Sequence, residues 1–254
     1  SNFCEILKNA KNPLIILGTS AINHEEGQKV LNTCAEIAKK LSNNNERFNP
    51  LNILSQDISR VGALQLKYFN SNFNLNFEEK LKNKIIETKP VIFLLGQDEI
   101  NMDILKGAFV VYIGHHGDKG ALISDVVLPS PAYTEKSSTY VNTEGRILQT
   151  SKCHSPLGDS KEEWKVFRSL SNKFNNELKY NNLQELREEL IISFPNFSKL
   201  FDSPSVKKLN FGSSDIIQDR DILYNIKNFY MSDVISRASQ TMAKCTKEIL
   251  NKVA

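Results

Sequence analysis

The sequence predicts an α/β protein built on a mainly parallel sheet with helices on both faces. Three observations carry that expectation. Short apolar runs recur along the first half of the chain: Leu14–Leu17, Leu51–Leu54, Pro90–Leu95, Phe109–Ile113 and Asp125–Leu128. Stretches with three- and four-residue apolar spacing lie between them. Most of the runs are continuously apolar rather than alternating, as strands buried on both faces of a parallel sheet are.

Taken in order, Lys11-Asn12-Pro13 leads into the strand Leu14–Leu17, and Gly18 ends it. From Glu25 to Leu41, the residues Val30, Cys34, Ile37 and Leu41 share one helical face, which places Cys34 on the core side. A break through Ser42–Pro50 precedes the strand Leu51–Leu54, and Ile58, Val61 and Leu64 then form a short helical stretch. Asn76 and Glu79 mark a helix start, with Phe77, Leu81 and Ile85 on its inner face. A short helical connection, Ile100–Leu105, joins the strand ending at Gly96 to Phe109–Ile113. The strand Asp125–Leu128 is stopped by Pro129, and a polar loop follows.

After Cys153 the character changes. Ser160 and Glu163 are spaced as a capping box for a helix carrying Trp164, Phe167, Leu170 and Phe174. Asn182 opens a helix with Leu183, Leu186 and Leu190 on one stripe, and Pro195 and Pro204 bracket an irregular stretch. Near the end, Ile235, Ala238, Met242, Cys245 and Ile249 form a narrow apolar seam. It suits one helix laid on a partner or on the chain's own body. The expected division is an α/β domain over 1–155 and a helical, irregular C-terminal extension over 156–254.

Composition narrows the function classes. The chain has 254 residues, 40% hydrophobic and 24% charged, as in a soluble globular protein. Its 32 basic and 29 acidic residues nearly cancel, and no basic cluster is interleaved with aromatics, so nucleic acid is not an expected partner. The apolar runs fall far short of the ~20 residues that cross a bilayer. Asparagine- and lysine-rich tracts such as LSNNNERFNP read as loops or solvated faces. The four cysteines, Cys4, Cys34, Cys153 and Cys245, are widely separated, which argues against a metal or iron–sulfur site and for isolated thiols.

Candidate sites are few. GTSAINHEEG, at 18–27, sits between a strand and a helix, where a dinucleotide would rest, but it lacks G-x-G-x-x-G and carries Glu25 and Glu26. GHHGDKG, at 114–120, places His115, His116 and Asp118 at the carboxyl end of a strand without a third nearby ligand. In the loop after Pro131, Glu135, Asn142, Glu144 and Arg146 form either a ligand-facing set or a polar structural lock. Spacing alone does not separate the two.

The stretch GDKGALISDVVLPSPAYTEKSSTYVNTEGRILQ resembles the large iron–sulfur subunit family of proton-pumping NADH:ubiquinone oxidoreductase, respiratory complex I. KNPLIILGTSAINHEEG, EEWKVFRSLS and FYMSDVISRASQTMAKC are similar to further segments of the same family, of mitochondrial and alphaproteobacterial type. The resemblance is to the C-terminal, molybdopterin-oxidoreductase-like part of that subunit. It implies a structural, non-catalytic part of the peripheral arm, with no cofactor held by this chain. The iron–sulfur clusters would belong to a ferredoxin-like N-terminal part, one of several complex I partners. The location implied is the matrix side of the mitochondrial inner membrane, or the cytoplasmic face of a bacterial one, without membrane insertion. Under it, Glu135, Asn142, Glu144 and Arg146 are expected to lock the loop, and the terminal seam to dock on a partner. The competing expectation is a still active molybdopterin- or nucleotide-binding oxidoreductase domain.

Overall fold

The computed structural model describes residues 2–24, 26–41, 49–55, 57–68, 77–202 and 228–250. The helices are α1 Asn2–Asn9, α2 Gly27–Leu41, α3 Ile58–Gln65, α4 Phe77–Thr88, α5 Lys119–Ile123, α6 Glu163–Ser171, α7 Leu183–Ser193, α8 Val234–Ala238 and α9 Gln240–Glu248. The strands are β1 Ile15–Gly18, β2 Leu51–Leu54, β3 Val91–Leu95, β4 Phe109–Gly114, β5 Val126–Pro129, β6 Thr139–Val141 and β7 Ile147–Gln149. The chain groups into two compact units. One gathers Ser1–Tyr68, Tyr140–Leu148 and Lys199–Asn225; the other gathers Phe69–Thr139, Gln149–Ser198 and Ile226–Ala254.

In the first unit, β1 and β2 pair in parallel, from Ile15 opposite Leu51 to Gly18 opposite Leu54. Side chains alternate across a strand, so Ile15 and Leu17 share one face. That face packs with Leu51 against Val30, Leu31, Cys34, Ala35 and Ala38 of α2. Cys34 thus lies on the core side, as its spacing predicts. The opposite face carries Leu14, Ile16 and Leu54, which stay 53%, 58% and 50% exposed. The polar loop after β5 contains a strand pair that its composition does not announce. β6 and β7 bond to each other around the turn at Asn142–Arg146, and Val141 and Ile147 are buried.

In the second unit, β3, β4 and β5 form a parallel sheet with β4 in the centre. The apolar run of β4 reads as a strand buried on both faces, and Val110, Val111, Tyr112 and Ile113 are all buried. On one face Val110, Tyr112 and Leu94 pack with Ile85 of α4 and with Ile104 and Leu105. On the other, Phe93 of β3 meets Phe167 of α6 with ring centroids 5.4 Å apart. Asp125 sets the register of β5: its carboxylate accepts the Val110 amide at 2.7 Å and its own amide donates to the Val110 carbonyl at 2.9 Å.

Several boundaries depart from the sequence reading. The Ser160–Glu163 capping box does not form. Ser160 donates its hydroxyl to the Leu157 carbonyl in a separate turn, and α6 begins only at Glu163. Phe174 lies beyond the end of α6 and is exposed. The connection before β4 is a single 3₁₀ turn, Met102–Leu105. Asn182 does cap α7, accepting the Glu185 amide. The proposed cap Asn76, the Phe77 side chain, Glu25, Pro204 and most of the break after Leu41 lie outside the described residues.

Candidate functional site

In an open parallel sheet, ligands are taken at the carboxyl ends of the strands. At that edge of the β3–β4–β5 sheet the chain places its own arginine. Asp98 and Glu99 follow β3, and Asp118 follows β4 at the start of α5. Arg237, on α8, reaches all three. Its Nη2 lies 2.8 Å from Asp98 Oδ1, its Nη1 lies 3.0 Å from Glu99 Oε1, and its Nε bonds Asp118 Oδ2. Asp118 occupies the N-cap position of α5, yet its side chain makes no capping bond, because the carboxylate is turned to Arg237.

Local sequence prepares this contact. Asp233 caps α8 by accepting the Ile235 and Ser236 amides, and Ser236 returns a bond to the Asp233 amide as a capping box. Those bonds, led by the Ser236 amide, hold the Asp233 carboxyl below its ordinary range. Arg237 then projects from the first turn of a fixed helix. Asp98 is only 1% exposed, and burial pushes its carboxyl up. Arg237 and the Gly120 amide pull it back, while Asp118 and Glu99 push it further. Burial also works against the Arg237 charge, but the hydrogen bonds and charges of Asp118, Glu99 and Asp98 outweigh it.

Beneath the cluster lies Tyr112, which is 1% exposed. Its hydroxyl donates to the His116 carbonyl at 2.9 Å. Gly114 and Gly120 make room for its ring. A Cβ on Gly114 would fall 2.4 Å from the Tyr112 hydroxyl, and one on Gly120 would fall 2.8 Å from the ring. The glycines at this edge therefore accommodate an aromatic side chain of the protein itself.

His115 and His116 face each other, Nδ1 to Nδ1, at 2.6 Å. Burial, together with the charges of His116 and Lys136, lowers the His115 pKa below the usual imidazole value, against a weaker upward pull from Glu163 and Glu135. Among the described residues, no group of three or more His, Cys, Asp or Glu side chains is placed to hold a metal ion. No disulfide joins the four cysteines. In the 18–27 segment, the buried Glu26 stands at the start of α2 and pairs with Lys29 at 3.2 Å. Its carboxylate is at the helix end that a phosphate would need.

The loop residues singled out by the sequence act within two separate turns. Glu135 Oε2 accepts the Ala132 amide at 3.0 Å, and the Glu135 amide donates to the Ala132 carbonyl at 2.9 Å. Asn142 Oδ1 accepts the Arg146 amide at 2.9 Å, and the Asn142 amide donates to the Arg146 carbonyl at 3.0 Å. Glu144 and Arg146 approach only to 3.8 Å. Arg146 Nη1 instead reaches the Phe201 carbonyl at 3.4 Å, tying residues 199–202 to the strand pair.

The terminal seam is not carried on one helix. Ser239 takes an extended conformation between α8 and α9 and caps α9 by accepting the Met242 amide. Ile235, Ala238 and Ile249 are exposed, and Met242 and Cys245 are half-buried. The residues that sequence reading missed are Asp98, Glu99 and Arg237. Arg237 stands 138 and 139 positions from the two acids, a separation no local period reveals.

A profile of the family described as Molybdopterin oxidoreductase matches residues 1–173, and one that describes the C-terminal region of an NADH-ubiquinone oxidoreductase subunit matches residues 196–245. The chain is 40% identical over 253 residues to the mitochondrial NADH-ubiquinone oxidoreductase 78 kDa subunit of Candida albicans, covering 95% of this chain and 34% of that protein. It is 36% identical over 250 residues to the NADH-ubiquinone oxidoreductase 75 kDa subunit of Reclinomonas americana, covering 96% and 35%. It is 37% identical over 245 residues to an NADH-quinone oxidoreductase subunit of Rickettsia bellii, covering 96% and 34%. The chain thus spans about a third of the length of the curated relatives it matches.

Proposed function

The chain belongs to the molybdopterin oxidoreductase family, and on that premise we propose that it is a structural, non-catalytic part of the peripheral arm of respiratory complex I. The relatives carry names of NADH–ubiquinone and NADH–quinone oxidoreductase subunits. In this reading the assembly moves electrons from NADH to ubiquinone, and this chain contributes shape and contact. Its partners are other complex I subunits, including a ferredoxin-like part that carries the iron–sulfur clusters. Its place is the matrix side of the mitochondrial inner membrane or the equivalent bacterial face. No described helix is long and apolar enough to cross a membrane.

The observation that carries the reading is the filled carboxyl edge of the β3–β4–β5 sheet. A pterin cofactor with its phosphates needs close backbone approach and positive potential. Here the Tyr112 ring fills the space that Gly114 and Gly120 leave. Three carboxylates, Asp98, Glu99 and Asp118, meet the one guanidinium of Arg237 within the cluster, which leaves an excess of negative charge. The edge is closed and locally acidic, which opposes an anionic ligand. We therefore read the chain as holding no cofactor. The turns at Glu135 and Asn142 then serve to hold the loop rather than to meet a ligand.

The test separates assembly from chemistry. Gly120→Ala forces a methyl group against the Tyr112 ring, an overpacking that costs about 1–3 kcal/mol. In cells whose complex I contains this chain, the amount of assembled arm should fall while NADH–ubiquinone turnover per assembled complex stays unchanged. A variant that assembles fully and turns over more slowly would contradict a structural role.

A further inference from the structure

The C-terminal segment 228–250 is fastened in an unusual way. Neither α8 nor α9 has a fully buried residue, and Ile235 and Ile249 remain 43% and 49% exposed. Apolar contact here is partial, through half-buried residues such as Met231, Val234, Met242 and Cys245. By contrast, the Arg237 side chain is 15% exposed and bonds three carboxylates, one of them on the fully enclosed Asp98. Each nitrogen of the guanidinium takes a different acid: Nη2 takes Asp98, Nη1 takes Glu99 and Nε takes Asp118. A planar fork with fixed donors matches this arrangement, and a point-charge ammonium does not. The acceptors come from two different strand ends, and Gly120 closes behind them, with its Cβ position 3.1 Å from the Asp98 Cβ.

We infer that the carboxyl edge of the β3–β4–β5 sheet is a guanidinium-binding site, that Arg237 is its resident ligand, and that this contact seats the C-terminal segment as a releasable strap. The chemical class that the site takes is a guanidinium. The strap closes the edge at which a sheet of this kind accepts ligands. Its hold is mainly electrostatic and directional, so it can open while the sheet beneath stays folded. This deepens the structural reading above and rests on the same cluster of Asp98, Glu99, Asp118 and Arg237. It concerns what keeps the chain's own terminal segment in place, whatever the assembly does.

Hydrogen–deuterium exchange on the full chain tests it, with Arg237→Lys and Arg237→Ala beside the parent. Arg237→Ala should speed exchange in 228–250 by at least about tenfold, the lower end for a partly enclosed ion pair that loses one partner. The β4 amides should keep their protection. Arg237→Lys should fall between the two, because it keeps the charge and loses the fork. Low millimolar guanidinium, compared with equal sodium chloride, should raise the melting temperature of Arg237→Ala and leave the parent unmoved. Unchanged exchange in 228–250 of Arg237→Ala would overturn the inference. Equal loss of protection in β4 would overturn it too, since the strap would then be inseparable from the core. Per-complex turnover does not enter these readouts, so this inference and the structural reading can fail independently.

Discussion

Asn142 and Arg146 sit four positions apart in the same turn, yet they face different demands. The Asn142 side chain accepts the Arg146 amide at 2.9 Å and so replaces a backbone partner inside the turn. Losing it leaves that amide without its acceptor, and Asn142→Ala should cost about 1–2 kcal/mol. The Arg146 side chain is 36% exposed and its closest carboxylate, Glu144, is itself 67% exposed. A pair this open to solvent contributes little, so Arg146→Ala should cost under ~1 kcal/mol. Urea denaturation of the two variants checks the order, and a larger loss for Arg146 would reverse the assignment. The sequence pointed to this group of residues as a set. It could not rank them, because exposure and bonding partner decide the ranking and neither is written in spacing.

At the scale of elements, the local patterns were the most readable. The runs that became β1, β3, β4 and β5 stand out as continuous apolar stretches, β2 carries Asn52 within it, and the α2 stripe exposes its period directly. Asn182 was legible as a cap because its bond runs to a residue three positions on. Ser160 misled because a serine hydroxyl serves a turn as readily as a helix start. The break at Ser239 was hidden because the apolar spacing continues across it. The pairing of β6 with β7 was masked by the polar residues of its short strands. Strand faces give a direct check on the first unit. Leu17 is 8% exposed and packs under α2, whereas Ile16 is 58% exposed on the open face. Leu17→Ala should cost about 2–5 kcal/mol and Ile16→Ala under ~1 kcal/mol in the isolated chain. Equal losses in equilibrium unfolding would mean that the face assignment is wrong.

At the scale of the molecule, long-range charge does what local sequence cannot announce. Arg237 meets Asp98 and Asp118 across 139 and 119 positions, at the carboxyl edge of the sheet. Family resemblance was legible early, since it rests on whole segments rather than on single periods. What it implied about chemistry depended on the state of that edge, where Tyr112, two glycines and the Arg237 cluster now stand. The most direct measurement is molybdenum, tungsten and pterin content of the chain, purified both within its native assembly and from a host that makes molybdopterin. The expected result is less than about a tenth of a metal or pterin per chain, well below the one-to-one occupancy of a specific site. One tightly held molybdenum, tungsten or pterin per chain from either source would contradict a role confined to shape and contact.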